Sequence, residues 1–312
     1  MSSYYGIGIM SGASLDGLDL CFAEFTGDSE TDVWGYRIEH AVTVPYSKMM
    51  KEMLEAATSL SGFVSIYAVN FIQNNDLRPD FVASYGHSVF HQPDKGITFQ
   101  LGEGEIISTY ISNFQAKDVA LGGQGAPLVP CGEKFLFQQT DICVNLCGIA
   151  TVGCQGEKGF DVCPCNMVLN HLASAGHVLP DILEQLDKLD YYQQSGPKSL
   201  GFEWVSSNLL PILKINSYVL IMVFICIVQI VDTEDEIVEY KEALVYAFLG
   251  LRSLLNMENV FSSVTGSRMD SVSGSIHHGT VRHSRPSLQD RFNFMIRRKS
   301  LGVTELRIVK DK

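Results

Sequence analysis

The stretch GIMSGASLDGLDL, Gly8–Leu20, joins two apolar runs, Tyr4–Met10 and Leu18–Phe25, that read as strands. Its bend holds Ser11, Gly12, Ala13, Ser14, Asp16, Gly17 and Asp19. A plain hairpin needs only two turn residues, so this bend carries more polar backbone than a turn requires. Gly12 and Gly17 let backbone N–H groups approach a ligand with no Cβ in the way. Successive N–H groups in a turn make a concave anion site. Asp16 and Asp19 would repel a bare phosphate and suit one that arrives with Mg²⁺. An elaborate hairpin, whose Ser and Asp side chains satisfy their own backbone, fits the same pattern. No GxxxxGK[ST] motif occurs, which excludes a P-loop.

Outward from the bend, the chain has 312 residues, 46% hydrophobic and 19% charged, enough for two lobes. A net charge of -12 argues against nucleic acid as a partner. Eight cysteines form no CxxC pair, and MSSYYGIGIM lacks the basic start of a secretory signal, so reduced thiols and a cytoplasmic location are expected. The apolar run Tyr218–Val231 is shorter than the ~18 to 20 residues of a membrane span and contains Gln229. It is expected to be a buried strand, and no membrane partner is expected.

Further strands are expected at Trp34–Val44, Phe81–Ser84 and Ile97–Leu101, and helices at Ser47–Ala57, Gly62–Asn74, Cys131–Gln138, Asn166–Gly176 and Asp235–Leu255. Ile142–Gly153 reads as a strand with a glycine break, repeating the strand, glycine bend, strand pattern of the opening. That duplication suggests two related lobes facing a cleft: 1–138, 139–280, and a basic tail at 281–312. The tail holds 9 Lys/Arg against 3 Asp/Glu from Val281 onward.

Three other stretches could carry chemistry. In GFDVCPCN, Asp161 stands at a strand-to-helix bend, where it could serve as a general base or as an N-cap. In ASYGHSVFHQP, His87 and His91 are four apart, but Gly86 and Pro93 favour a loop or short strand, and hydrogen bonding to a polar ligand or backbone over a metal site. In DVALGGQGAPLVP, Gln124 lies among Gly122, Gly123 and Gly125, a loop type that lines substrate sites and tight packing contacts alike.

Together GIMSGASLDGLD, ASYGHSVFHQP, FQLGEGEII, KDVALGGQGAPLVP, VNLCGIATVG, GFDVCPCNMVLNHLA, SGPKSLGFEWV, KEALVYAFLG and SSVTGS resemble the anhydro-N-acetylmuramic acid kinases, in a branch similar to that of Bacteroidetes-type bacteria. The resemblance implies an α/β, two-lobed fold of the actin and sugar-kinase (ribonuclease H-like) type, expected to be incomplete in the second lobe, and a homodimer is the expected assembly. It implies phosphorylation of 1,6-anhydro-N-acetylmuramic acid by ATP with Mg²⁺, with hydrolytic opening of the ring, in peptidoglycan recycling. It makes Gly12, Ala13, Ser14, Leu15, Asp16, Gly17, Leu18 and Asp19 the ATP phosphate loop, with Asp16 holding Mg²⁺ through water. It makes Asp161 the catalytic base and puts His87, Gln124, Gly125 and Glu242 on the sugar side.

The chain departs from the family pattern in places. Ala13 replaces a threonine, CGIAT with Cys147 and Thr151 replaces GGIAN, and Gln115 replaces an arginine. The residues before NFQAKD look shortened, because Tyr110 runs almost directly into that segment, so a core strand is expected to be missing there. No glycine occurs from Ser206 to Asp232, where the family carries a glycine triplet on its adenosine side. The alternative that these losses raise is a catalytically impaired remnant that binds sugar or a partner protein.

Overall fold

In a computed structural model, the chain is described over residues 2–12, 17–55, 61–95, 97–101, 109–165, 188–194, 198–200, 204–209 and 234–278. The opening hairpin is β1 (Ser2–Ser11) and β2 (Gly17–Asp28), antiparallel with Gly8 opposite Cys21, and β3 (Val33–Pro45) pairs antiparallel on β2. On its other side β1 pairs in parallel with β4 (Phe81–Ser84), the strand expected at those residues. Next comes β7 (Thr109–Ser112), parallel to β4, and then β11 (Ser275–His278), antiparallel to β7. The six-stranded order is therefore β11-β7-β4-β1-β2-β3. The strand expected to be missing before Gln115 is present as β7. Its buried Tyr110 and Ile111 fill the place beside β4.

Side chains alternate across this sheet, and both faces are covered. Ile7, Ile9, Leu18, Leu20 and Phe22 point to one core, closed by Met50 and Leu54 of α1 (Lys48–Glu55) and by Ala68 and Phe71 of α2 (Ser61–Asn74). Cys21, Ala23 and Phe25 point to the other core, closed by α4 (Val129–Leu136) and α5 (Asp235–Leu254). Between these elements lie a hairpin, β5 (His87–Gln92) with β6 (Ile97–Leu101), and the short α3 (Ala116–Ala120).

The second glycine-broken stretch folds as β8 (Cys143–Leu146) and β9 (Ile149–Cys154), with β10 (Lys158–Pro164) completing a three-stranded antiparallel sheet. A bulge between Asp161 and Cys163 interrupts β10. Asp161 thus sits inside a strand. The helix expected at Asn166–Gly176, the apolar run Tyr218–Val231 and the basic tail lie outside the described residues. Among the described residues no helix is long and apolar enough to cross a membrane.

Gly8 sets how closely α5 lies on the sheet. A Cβ built there would stand 1.7 Å from the Ala243 carbonyl oxygen and 2.9 Å from the Ala247 nitrogen. Both are helix backbone and cannot rotate aside. Gly8→Ala is expected to cost about 3 kcal/mol or more, as severe overpacking does. Gly35→Ala on edge strand β3, where the nearest atom would be Thr26 Oγ1 at 3.2 Å, is expected to stay within about 1 kcal/mol of wild type. Urea titration of both variants checks the contrast.

Candidate active site

Asp161 is 4% exposed and held by three contacts from one later segment. The Leu200 N–H donates to its Oδ2 at 2.6 Å, the Tyr191 hydroxyl to its carbonyl oxygen at 2.6 Å, and its own N–H to the Lys198 carbonyl at 3.2 Å. Burial raises its carboxyl, the Leu200 N–H pulls it down, and the nearby Glu242 charge raises it again, to about 7. A carboxyl poised there can hold or release a proton at neutral pH.

Glu242 reaches the same region from α5. It keeps part of its surface open, yet burial is the main force raising its carboxyl. The Cys147 thiol and Lys241 lower it, and the charges of Asp19 and Glu133 raise it. Cys147, at the turn between β8 and β9, donates its Sγ–H to Glu242 Oε2 at 3.0 Å. Lys241 is engaged with Glu133 Oε1 at 3.0 Å.

Asp19 comes from β2 of the opening hairpin. Its Oδ1 accepts the Thr43 hydroxyl at 2.6 Å. The field of Asp19 is felt at Glu242, and that of Glu242 at Asp161. Carboxylates from the first hairpin, the long helix and the second sheet therefore share one neighbourhood. Gly12 lies partly open just past β1. Gly17 and Leu18 are buried strand residues, and the Leu18 side chain belongs to the core beneath α1 and α2. Ser11 is buried as well, and its hydroxyl accepts from Tyr46 at 2.8 Å. Ala13, Ser14, Leu15 and Asp16, and with them the expected Mg²⁺ contact, lie outside the described residues.

A second polar group gathers around the glycine loop. Gly125 has φ +72°, a left-handed conformation suited to glycine, and its N–H donates to Asp118 Oδ2 at 2.8 Å. Asp118 is fully buried, and its Oδ1 takes the Thr265 hydroxyl at 2.7 Å. Gln124 is fixed by its N–H on the Thr265 carbonyl at 2.8 Å, and its Oε1 accepts from Ser199 at 3.2 Å. His91 Nε2 also meets the Ser199 hydroxyl, at 2.9 Å. His87 opens β5, paired with Leu101. Gln115, where the resemblance implies an arginine, is buried and bonded at both ends. It donates to the Tyr85 hydroxyl at 2.6 Å and accepts from Thr98 at 2.9 Å.

Residues 198–200 were not singled out from the sequence as site residues. Through Leu200 they hold Asp161, and through Ser199 they hold His91 and Gln124. The signal was present in SGPKSLG, but polar turn residues say nothing of the partners they meet.

A mixed α/β core with helices on both sheet faces, and acidic groups converging from separate elements, is the architecture of an actin-like sugar kinase. The family model for anhydro-N-acetylmuramic acid kinase matches residues 3–220. Similar curated proteins carry that name in Nitrosomonas europaea (30% identical; 66% of this chain, 68% of that protein), Photobacterium profundum (31%; 63% and 64%) and Bacillus cereus (32%; 64% and 64%). The chain belongs to the anhydro-N-acetylmuramic acid kinase family, and it spans about two thirds of the length of these relatives.

The position of Asp161 has a consequence for stability. Its folded value of about 7 lies above the ordinary 3.8. The folded protein therefore binds this proton more tightly than the unfolded chain. The buried charge costs stability increasingly as pH rises from about 4 to 7, and fully above that, up to roughly 4 kcal/mol. Asp161→Asn keeps an acceptor for Leu200 and removes the charge. Its melting temperature is expected to match wild type near pH 4 and to exceed it by several degrees at pH 8, in scanning calorimetry at both values.

Proposed function

We propose that this chain is an ATP-dependent kinase that converts 1,6-anhydro-N-acetylmuramic acid and water to N-acetylmuramic acid 6-phosphate, as its family name suggests. The observation that supports this reading is the buried Asp161 carboxyl, fixed by the Leu200 N–H at 2.6 Å in a chain that matches the family over residues 3–220. In the proposed reaction Asp161 takes a proton from water as the water oxygen bonds to the anomeric carbon. The bond from that carbon to O6 breaks, O6 bonds to the γ-phosphorus, and the bond to ADP breaks. Asp161 then returns its proton to solvent.

Triphosphate binding is assigned to the backbone around Gly12 and to Asp19, with Ala13–Asp16 completing the loop. Asp16 would hold magnesium through water, with Asp19 beside it, and the ion would neutralise charge on the phosphates. Gln124, Gly125, His87 and Glu242 are assigned to the sugar. Ser199, which donates to Gln124, and His91, which meets the Ser199 hydroxyl, join them. The lobes at 1–138 and 139–280, a homodimer and a cytoplasmic site of action belong to the same proposal.

Purified protein given ATP, Mg²⁺ and the anhydro sugar is expected to release ADP and yield the 6-phosphate by mass spectrometry. Asp161→Asn is expected to abolish both. No ADP release by the folded wild-type protein would overturn the reading. The value of about 7 for Asp161 also fixes the shape of the pH profile. A base must be ionised, so kcat/KM is expected to rise about tenfold per pH unit below 7 and to level off above it.

A further inference from the structure

We infer that Cys147 is a positioning residue for Glu242, its thiol proton tying the carboxylate of the long helix to the sheet that carries Asp161. The inference rests on the kinase reading above and names a residue that reading does not use.

The geometry is a chain of rigid links. Cys147 stands at the tip of the β8–β9 hairpin and gives its Sγ–H to Glu242 Oε2 at 3.0 Å. The next residue, Gly148, accepts the Cys165 N–H on its carbonyl at 2.9 Å, which pins the tip to the end of β10. Along the same hairpin Thr151 pairs with Asp161. The thiol therefore reaches Glu242 from the framework that fixes Asp161.

The neighbouring cation is committed elsewhere. Lys241 binds Glu133 Oε1 at 3.0 Å, and Asn145 Nδ2 reaches that same oxygen at 3.2 Å. Among the described residues the side-chain donor to Glu242 is Cys147. A thiol is a weak donor, but its acceptor here is a carboxylate in a sparsely solvated place, where a single bond restricts the rotamers.

The reverse effect falls on the sulfur. Burial first, and then the Glu242 charge, push the Cys147 thiol far up. The thiol stays protonated, as a donor must, and reacts slowly with alkylating agents.

Two measurements test the inference. Cys147→Ala is expected to lower kcat about tenfold with KM for ATP and the melting temperature nearly unchanged, whereas Cys147→Ser, which keeps an O–H donor, restores most of the rate. Independently of turnover, iodoacetamide labelling followed at the Cys147 peptide by mass spectrometry is expected to run about tenfold faster in Glu242→Gln than in wild type. Wild-type kcat in Cys147→Ala, or a Ser variant no better than Ala, overturns the positioning role. An unchanged labelling rate in Glu242→Gln overturns the link itself. If the wild-type protein shows no turnover, the kinase reading falls, and the positioning role falls with it. The labelling comparison then still decides whether the thiol and carboxylate are joined.

Discussion

The close approach of α5 to β1 is the constraint on which the rest of the structure depends. Glycine at position 8 lets helix backbone stand where any side chain would collide, with the Ala243 carbonyl 1.7 Å from a Cβ placed there. That contact seats Ala243, Leu244 and Ala247 on the sheet and carries the preceding residue, Glu242, with them. The helix brings a carboxylate to the neighbourhood of Asp19, on the strand next to β1, and of Asp161, on the second sheet. A helix standing one side chain further out would move Glu242 away from both.

The second dependency is the segment 198–200. It supplies the N–H that lowers the Asp161 carboxyl against the effect of burial, and the hydroxyl that joins His91 to Gln124. Two clusters that are distant in sequence are thus held by adjacent residues. Gln115 stands where the resemblance implies an arginine. Its amide lies in a neutral chain from Tyr85 to Thr98, which leaves no uncompensated buried charge there.

Much of the fold could be read from local pattern. Phe81–Ser84 stands as read, α5 ends within a residue of its expected limit, and the opening hairpin runs slightly longer than its apolar core. Strand β7 was not legible. Its four residues TYIS carry little pattern of their own, and parallel pairing with β4 comes from the tertiary fold. Asp161 was legible as a residue of interest, but its surroundings were not. KGFDVCP looks like a bend because it holds glycine, aspartate and proline, whereas a bulge accommodates them within a strand. The groups that tune the carboxyl lie far along the chain, at Leu200 and Glu242, where no local signal points to them.

The central claim is that Asp161 is a carboxyl held near neutrality inside the folded protein. The most direct measurement is a carbon NMR titration of aspartate carboxyls labelled with carbon-13, with the signal assigned by its loss in Asp161→Asn. The account predicts a midpoint at about 7. A midpoint near the ordinary value of about 4 would contradict it, because the carboxyl would then be hydrated and unlike the buried group described here.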